Sequence, residues 1–351
     1  MPTASRAARL IAAFASLLLA TVPVAACGSD ETDAPAAAGP AGGAFPVTIA
    51  HKYGATTVKA EPKRIVTVGL TDQDAVLALG KVPVATTDWF GGYAGAIGPW
   101  ATDRLKGAPV PTVLKDTGTG PQVEKIAALK PDLIVALYAG LTDKQYRTLS
   151  KFAPVVAQPK QYADYGIPWQ EQTKTIGKAL GKETEADKLV TGLEQRFAKA
   201  KKDNPEFAGK TAVTATPYEG YFVYGTQDLR SRTLASLGFT LPADLDRVVG
   251  KDKFGVSISK ERTDLLDQNV IVWTVADVAK EMPKLHADKL YTGLNVVEQG
   301  REVFVGENTP YGVAYSFQTV LSVPFLLDRL VPQLKAAIDG DTGTKVAQPA
   351  S

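Results

Sequence analysis

The chain has one cysteine, two histidines and two methionines among its 351 residues. A single cysteine, Cys27, excludes a disulfide within the chain. His51 and His286 are too few for the converging His and carboxylate ligands that a bare Zn²⁺ or Mn²⁺ site needs. No stretch stays apolar for the roughly 20 residues that a membrane-spanning helix requires. Charge of one sign is missing too. The 39 basic residues face 37 acidic ones, which implies no polyanion-binding surface and no nucleic acid partner. Signatures of nucleotide and acyl chemistry are lacking: no G-x-S-x-G, no Walker sequence, and a "TGTGPQV" without the third glycine of a dinucleotide loop. What remains, 45% apolar and 22% charged, is a soluble globular chain long enough for about two domains.

The first 26 residues form a unit of their own. Arg6 and Arg9 precede the apolar stretch Leu10 to Ala20, the layout of an export signal. The stretch ends in "VAACGSD", and Val24, Ala25 and Ala26 before Cys27 resemble the lipobox of bacterial lipoproteins. That resemblance implies cleavage just before Cys27 and a diacylglycerol on its sulfur. The alternative is a secreted protein with an ordinary small-residue cleavage site. Removing residues 1–26 would leave 37 basic and 37 acidic residues, a balanced chain. Residues 27–44, rich in Ala, Gly and Pro, cannot bury enough apolar surface to order themselves and read as a flexible tether. Residues 340–351, "GDTGTKVAQPAS", read as a frayed tail.

Between these ends, short β-branched runs alternate with helical periodicity. "RIVTVG", "VPVATT" and "DLIVALY" read as strands; "TDQDAVLALG", with Thr71 and Asp72 as cap candidates, and "GPQVEKIAALKP" read as helices. The order is renewed after residue 205 with "KTAVTATP", "RTLASLG", "ERTDLLDQNVIVWTV" and "EVFVGE". "EKIAALKPDLIV" from Glu124 and "ERTDLLDQNVIV" from Glu261 share Glu, a basic residue, Leu, Asp/Asn and a closing apolar run at matching places. The expected fold is therefore α/β, with two Rossmann-like lobes spanning 45–181 and 205–339 and built from the same order of parts. Ser316 to Ile338 reads as a closing helix that Pro324 and Pro332 should kink or split.

The lobes are joined by residues 182–204. Ala186, Leu189, Val190, Leu193, Phe197 and Ala200 recur at spacings of three and four, and the other face is charged. About 20 residues at 1.5 Å each make a rod of about 30 Å. One bracing helix between two α/β lobes predicts a stiff pair with a cleft between them.

The lipobox, tether, paired lobes and brace together resemble the substrate-binding proteins of bacterial ABC importers, in their helix-linked class. Segments such as "VEKIAALKPDLIVALYAGLT" and "WQEQTKTIGKALGKETEAD" are most similar to the iron–siderophore-binding lipoproteins, and the resemblance spans about residues 46–335. It implies a lipid-anchored monomer on the outer face of the bacterial cytoplasmic membrane. Such a receptor takes a ferric siderophore in the interlobe cleft and hands it to an ABC permease, with no resident cofactor and no chemistry on the ligand. It also implies a role for the repeated acids: Glu124 and Glu261 match the pair that docks on permease arginines. A ferric siderophore brings its own iron ligands, so the cleft needs flat apolar walls and cationic donors. Loops at strand exits supply candidates: Trp89, Phe90, Trp100, Arg104 and Tyr138 in the first lobe, then Tyr218, Tyr221, Arg230, Arg232, Trp273 and Tyr311 in the second.

Other readings predict different observations. Haem or a corrinoid would want the same aromatic walls and arginines. An adhesion or signalling module without a small ligand would have its cleft filled by side chains. "SISK" (Ser257 to Lys260) fits the S-x-x-K of β-lactamases and penicillin-binding proteins, but neither S-D-N nor K-T-G follows it.

Overall fold

The computed structural model describes residues 44–88, 91–115, 120–250 and 253–349. The export signal, Cys27, nearly all of the tether, Trp89 and Phe90 lie outside the described residues. Strands β1 (Val47–His51) and β2 (Gly54–Val58) pair as an antiparallel hairpin that sends Ile49 and Val58 into the core.

The first sheet holds β3 (Ile65–Thr67), β4 (Ala85–Asp88), β5 (Thr112–Lys115), β6 (Leu133–Ala136) and β7 (Val155–Ala157). They lie in the order β5-β4-β3-β6-β7, all parallel. The second sheet holds β8 (Ala212–Pro217), β9 (Tyr221–Tyr224), β10 (Gly255–Ile258), β11 (Val270–Val275) and β12 (Glu302–Gly306), ordered β10-β9-β8-β11-β12. Each sheet thus places its first strand centrally, the next two on one side and the last two on the other. The two matched sequence stretches lead into β6 and β11, which hold the same station beside the central strand.

The second copy differs in two ways. β9 runs antiparallel to both β8 and β10, so a turn at 218–220 stands where the first lobe has a helix. The helix ending at Gly238, Leu229–Leu237, follows β9 instead. The Glu261 segment is a 3₁₀ stretch, Lys260–Leu266, broken at Arg262, and not the α-helix its likeness to Val123–Ala128 suggests. Thr263 and Asp264 are weak helix formers, and seven residues are too few for propensity alone to hold an α-helix.

Alternation along the strands divides the interior into three cores. Val66, Ile134 and Val155 pack on the outer face of the first sheet, and Val213, Ile271 and Trp273 on that of the second. The inner faces meet in a single shared core: Ile65, Leu133 and Val135 from one sheet, Val270, Val272, Val303 and Val305 from the other. The helix Glu183–Asp203 lies along that core with one face, burying Ala186, Val190, Leu193 and Phe197, with Leu189 and Ala200 half-buried beside them. Phe197 stacks on Trp169, ring centroids 6.5 Å apart and planes within 17°. Gly177 lets the helix Trp169–Ala179 approach the brace, since a Cβ there would lie 2.3 Å from that of Ala186.

The chain's end departs from the sequence reading. Helices Pro310–Ser316 and Ser322–Ala337 close the fold, and the latter continues through both prolines. Pro324 sits in the first turn, where no N–H is needed, while Leu326, Leu327, Leu330 and Leu334 stay buried around Pro332. The expected frayed tail is described to residue 349 and returns to the body. Asp339 accepts bonds from Asp341 N (2.8 Å) and Thr344 Oγ1 (2.6 Å), Gln333 Nε2 donates to Ala347 O (2.9 Å), and Val346 packs on the core.

Because Phe197 joins brace to body, Phe197→Ala should lower the unfolding free energy by about 3–5 kcal/mol. Denaturant titration checks this; a midpoint equal to wild type would mean that the brace is not part of the cooperative core.

Candidate ligand-binding cleft

A common space lies between the carboxyl ends of the first sheet and, in the second lobe, the segments that leave β9 and enter β10. In the first lobe it is organised by two acids on the helix Asp72–Ala78. Asp72 accepts bonds from Leu137 N (2.8 Å), Tyr138 N (3.3 Å) and Gln172 Nε2 (2.7 Å), which pins the loop leaving β6. Gly69 makes room for it, since a Cβ there would lie 2.0 Å from Asp72 Oδ2. Thr71 does not cap this helix; its hydroxyl accepts from Gln172 (2.9 Å). Asp74 accepts from Trp100 Nε1 (2.7 Å) and, across the lobes, from Thr319 Oγ1 (2.5 Å). Burial pushes both carboxyls up to about 6, against the pull of these donors. A second polar tie crosses the lobes where Arg232 Nη1 donates to Gly166 O (3.0 Å).

Beside these ties lies a cleft of about 820 Å³, within the range usual for small-molecule sites. The first lobe contributes Tyr138 and, from the crossover after β7, Tyr162, Asp164 and Tyr165. Tyr138 and Tyr165 meet edge to face at 5.4 Å. The second lobe contributes Tyr224, Asp228, Arg230, Lys253, Phe254 and Phe317. The Arg230 guanidinium lies 4.1 Å from the centre of the Tyr224 ring and pairs with Asp228 at 2.8 Å. Asp228 also caps the helix Leu229–Leu237, accepting from Arg230 N. Arg230 is 8% exposed, and its Nε has no acceptor among the described residues. Burial pushes the Tyr138 phenol up, so it is a hydrogen-bond donor at neutral pH. A second compartment of about 330 Å³ adjoins at the carboxyl ends of the first sheet and shares Tyr165.

Of the residues picked from sequence, Tyr138 and Arg230 line the cleft, and Trp100 borders a small gap between the lobes, held by Asp74. Arg232 serves the lobe-to-lobe tie to Gly166. Other positions require revision. Trp273 and Tyr221 lie in the outer core of the second sheet, where Trp273 Nε1 donates to Tyr291 Oη (2.6 Å). Tyr311 is buried and bonds Gln333 (2.7 Å). Tyr218 is 59% exposed on the β8–β9 turn, and Arg104 is exposed on the 3₁₀ turn Thr102–Leu105; neither lines the cleft. Conversely, "QYADYG" (161–166) escaped sequence reading, although two tyrosines in a long crossover after a final strand could have flagged it.

Glu124 and Glu261 are both exposed. The residues just before Glu124, Gly120 to Gln122, line the carboxyl-end compartment of the first sheet. Glu261 follows Ile258, which registers with Tyr221 and through it with Pro217 at the end of β8. Glu124 thus stands at the carboxyl edge of the first sheet and Glu261 at that of the second. His51, in the hairpin, bonds Thr56 (2.9 Å), and His286 bonds Glu302 (2.9 Å). Among the described residues no cluster of three or more His, Cys, Asp or Glu could hold a metal. In "SISK", Lys260 Nζ lies 3.2 Å from Asp288.

A family model described as "Periplasmic binding protein" matches residues 66–307. The Fe(3+)-citrate-binding protein YfmC of Bacillus subtilis is 26% identical over 294 residues, which cover 84% of this chain and 88% of that protein. The probable siderophore-binding lipoprotein YfiY of the same organism is 28% identical over 300 residues, covering 81% and 86%. Among solved structures, a periplasmic solute binding protein from Mycobacterium smegmatis gives a TM-score of 0.73 at 36% identity, covering 83% of this chain and 98% of that one. Streptococcus pneumoniae PiaA in complex with ferrichrome gives 0.74 at 27% identity, covering 84% and 99%.

The buried acids make a pH prediction. With a folded value near 6 against 3.8 unfolded, the folded state holds the extra proton between about pH 4 and 6. The stability this contributes is complete below pH 4 and is lost as pH rises through 6. Asp74→Asn removes the titration, so between pH 4 and 7 the variant should gain on wild type by on the order of 3 kcal/mol. Denaturant melts at both pH values test this, and a difference independent of pH would refute it.

Proposed function

The chain belongs to the periplasmic binding protein family, and from that premise we propose that it is a lipid-anchored receptor that binds a ferric siderophore for an ABC importer. The carrying observation is the interlobe cleft, walled by tyrosines from both lobes and holding one deeply buried arginine. An adhesion module would have this space filled by side chains. The relatives support the reading through their own ligands, ferric citrate for YfmC and ferrichrome for PiaA. Cys27 carries the anchor, and among the described residues no helix is long and apolar enough to cross a membrane.

Iron enters as cargo with its coordination sphere already filled, so the protein supplies enclosure and not ligation. Ring faces of Tyr162, Tyr165 and Phe254 cover the organic shell. The phenol of Tyr138 and the guanidinium of Arg230 donate to chelate oxygens. The shared core and the Asp74–Thr319 tie oppose wide opening, so binding proceeds with small closure on a largely preformed site. Glu124 and Glu261 dock the receptor on permease arginines. One exposed ion pair contributes only about 0.2–1 kcal/mol. Two at fixed spacing act together, giving register while leaving dissociation easy.

Titrating the purified full chain with ferric hydroxamates, catecholates, citrate and haem, followed by tryptophan fluorescence, should give saturable quenching by a ferric chelate at micromolar concentration or below. Response to haem alone would favour a tetrapyrrole receptor. Glu124→Ala combined with Glu261→Ala should leave that titration unchanged and abolish uptake of radiolabelled chelate by cells. Weakened binding in the purified double variant would remove the docking assignment.

A further inference from the structure

The first-lobe wall of the cleft consists of two segments that are tied down from outside it. Resting on the receptor reading above, we infer that Lys52 and Tyr53, the two residues of the β1–β2 turn, are positioning residues that hold both segments and so set the affinity for the guest without touching it. Neither residue lines the cleft.

The segment 160–166 brings Tyr162, Asp164 and Tyr165 to the cleft, yet none of its residues is buried. A stretch with so little apolar packing of its own opens easily unless other contacts fix it. Tyr165 is moreover held at φ 61°, in the left-handed region, a conformation that persists for a bulky residue only where the surroundings over-determine it. Polar ties from the hairpin side supply that hold. Lys52 Nζ pairs with Asp164 at 2.5 Å, and Lys52 N donates to Gln158 O (2.9 Å). The buried Gln158 passes the hold on, its Nε2 donating to the carbonyls of Tyr162 (2.5 Å) and Ala163 (2.6 Å). Ala163 O also accepts from Gly166 N (2.9 Å), which closes the turn around Tyr165. From the other lobe Arg232 adds its bond to Gly166 O.

The second segment leaves β6 with Tyr138 and runs to Leu141. Asp72 fixes its start, and Tyr53 fixes its end by donating to Leu141 O. Tyr53 is itself seated by stacking on Tyr146, centroids 4.8 Å apart and planes within 24°. The two segments meet where Tyr165 lies edge to face with Tyr138 and donates to Ala139 O (3.3 Å). Neighbouring residues of one turn thus grip both halves of the wall. Lys52 and Asp164 keep 20% and 51% of their side chains exposed, so their tie changes an equilibrium by about fivefold at most.

The test compares Lys52→Met, which keeps the aliphatic stem, with Lys52→Arg, both in the purified full chain. Without ligand, hydrogen exchange at the Tyr162 and Gly166 amides should quicken about three- to fivefold in Lys52→Met and return to the wild-type rate in Lys52→Arg, with the denaturant midpoint unmoved. Unchanged exchange overturns the positioning role whatever the guest. In titrations with ferrichrome, ferric citrate and ferric enterobactin, Lys52→Met should raise the Kd of any chelate that wild type binds by about three- to fivefold, and Lys52→Arg should restore it. In an Asp164→Asn background Lys52→Met should add nothing, because it acts through that carboxylate. A further loss there would mean that Lys52 meets the guest directly, which refutes its assignment. Tyr53→Phe, which keeps the stack on Tyr146, should raise the Kd at least about twofold. A wild-type Kd in either single variant removes that residue from the device while leaving the receptor standing. Silence of the wild-type chain with all three chelates removes the receptor reading and the effect on affinity with it, and exchange then decides alone whether the hairpin holds the segment.

Discussion

The molecule depends on one shared apolar core. Ile65, Leu133 and Val135 of one sheet and Val270, Val272 and Val303 of the other belong to the same buried cluster, and the helix Glu183–Asp203 packs one face against it. Two lobes joined by strands alone could rotate about a few backbone dihedrals. Here rotation would have to slide Phe197 off Trp169 and part side chains packed at crystal-like density. The cleft is consequently a property of the fold at rest. Recognition then relies on preorganised walls, which reduces the entropy lost when a guest is enclosed.

Such stiffness permits an arrangement that is locally unfavourable. Asp72 and Asp74 are carboxyls buried at the foot of the cleft, and each is held by donors that do not fully offset its loss of water. Their positions explain why they are there. Asp72 fixes the turn that presents Tyr138, and Asp74 gathers Trp100 from one lobe and Thr319 from the other. The local expense lies where the two halves must agree in geometry, as is common at functional sites. The apolar core supplies the stability that tolerates it.

These features were unequally legible in the sequence. The alternation of elements, the brace and its buried face were readable, because Ala186, Val190, Leu193 and Phe197 repeat at helical spacing over 21 residues. The matched stretches led to matched stations because a buried parallel strand must be apolar along its whole length, as β6 and β11 are. Trp273 stands at a strand exit in the sequence, a position that suggests a cleft wall. Its face of the strand, however, is set by period-two register, which turns it towards Tyr221 and Tyr291. One sequence does not say which face of a doubly covered sheet is the cleft side. Reversal of β9 was hidden for a similar reason: "YFVY" reads as a strand in either direction, and only pairing with β8 decides.

Under the proposed docking, the repeated acids link this topology to transport. In each lobe the chain climbs to the carboxyl edge of an outer strand, turns, and descends to enter the strand beside the central one. A residue at the head of that descent must lie at the carboxyl edge of its sheet, whether the descent is an α-helix, as after Glu124, or a 3₁₀ stretch, as around Glu261. Position is therefore inherited from strand order, and helix type is incidental. A partner gripping both acids would hold one point on each lobe. Any difference between the spacing it prefers and the spacing set by the brace would act directly on the Asp74–Thr319 and Arg232–Gly166 ties, the polar contacts that bridge the lobes at the cleft. Under the proposed docking, the stiffness that preforms the cleft would also transmit the permease's pull to it.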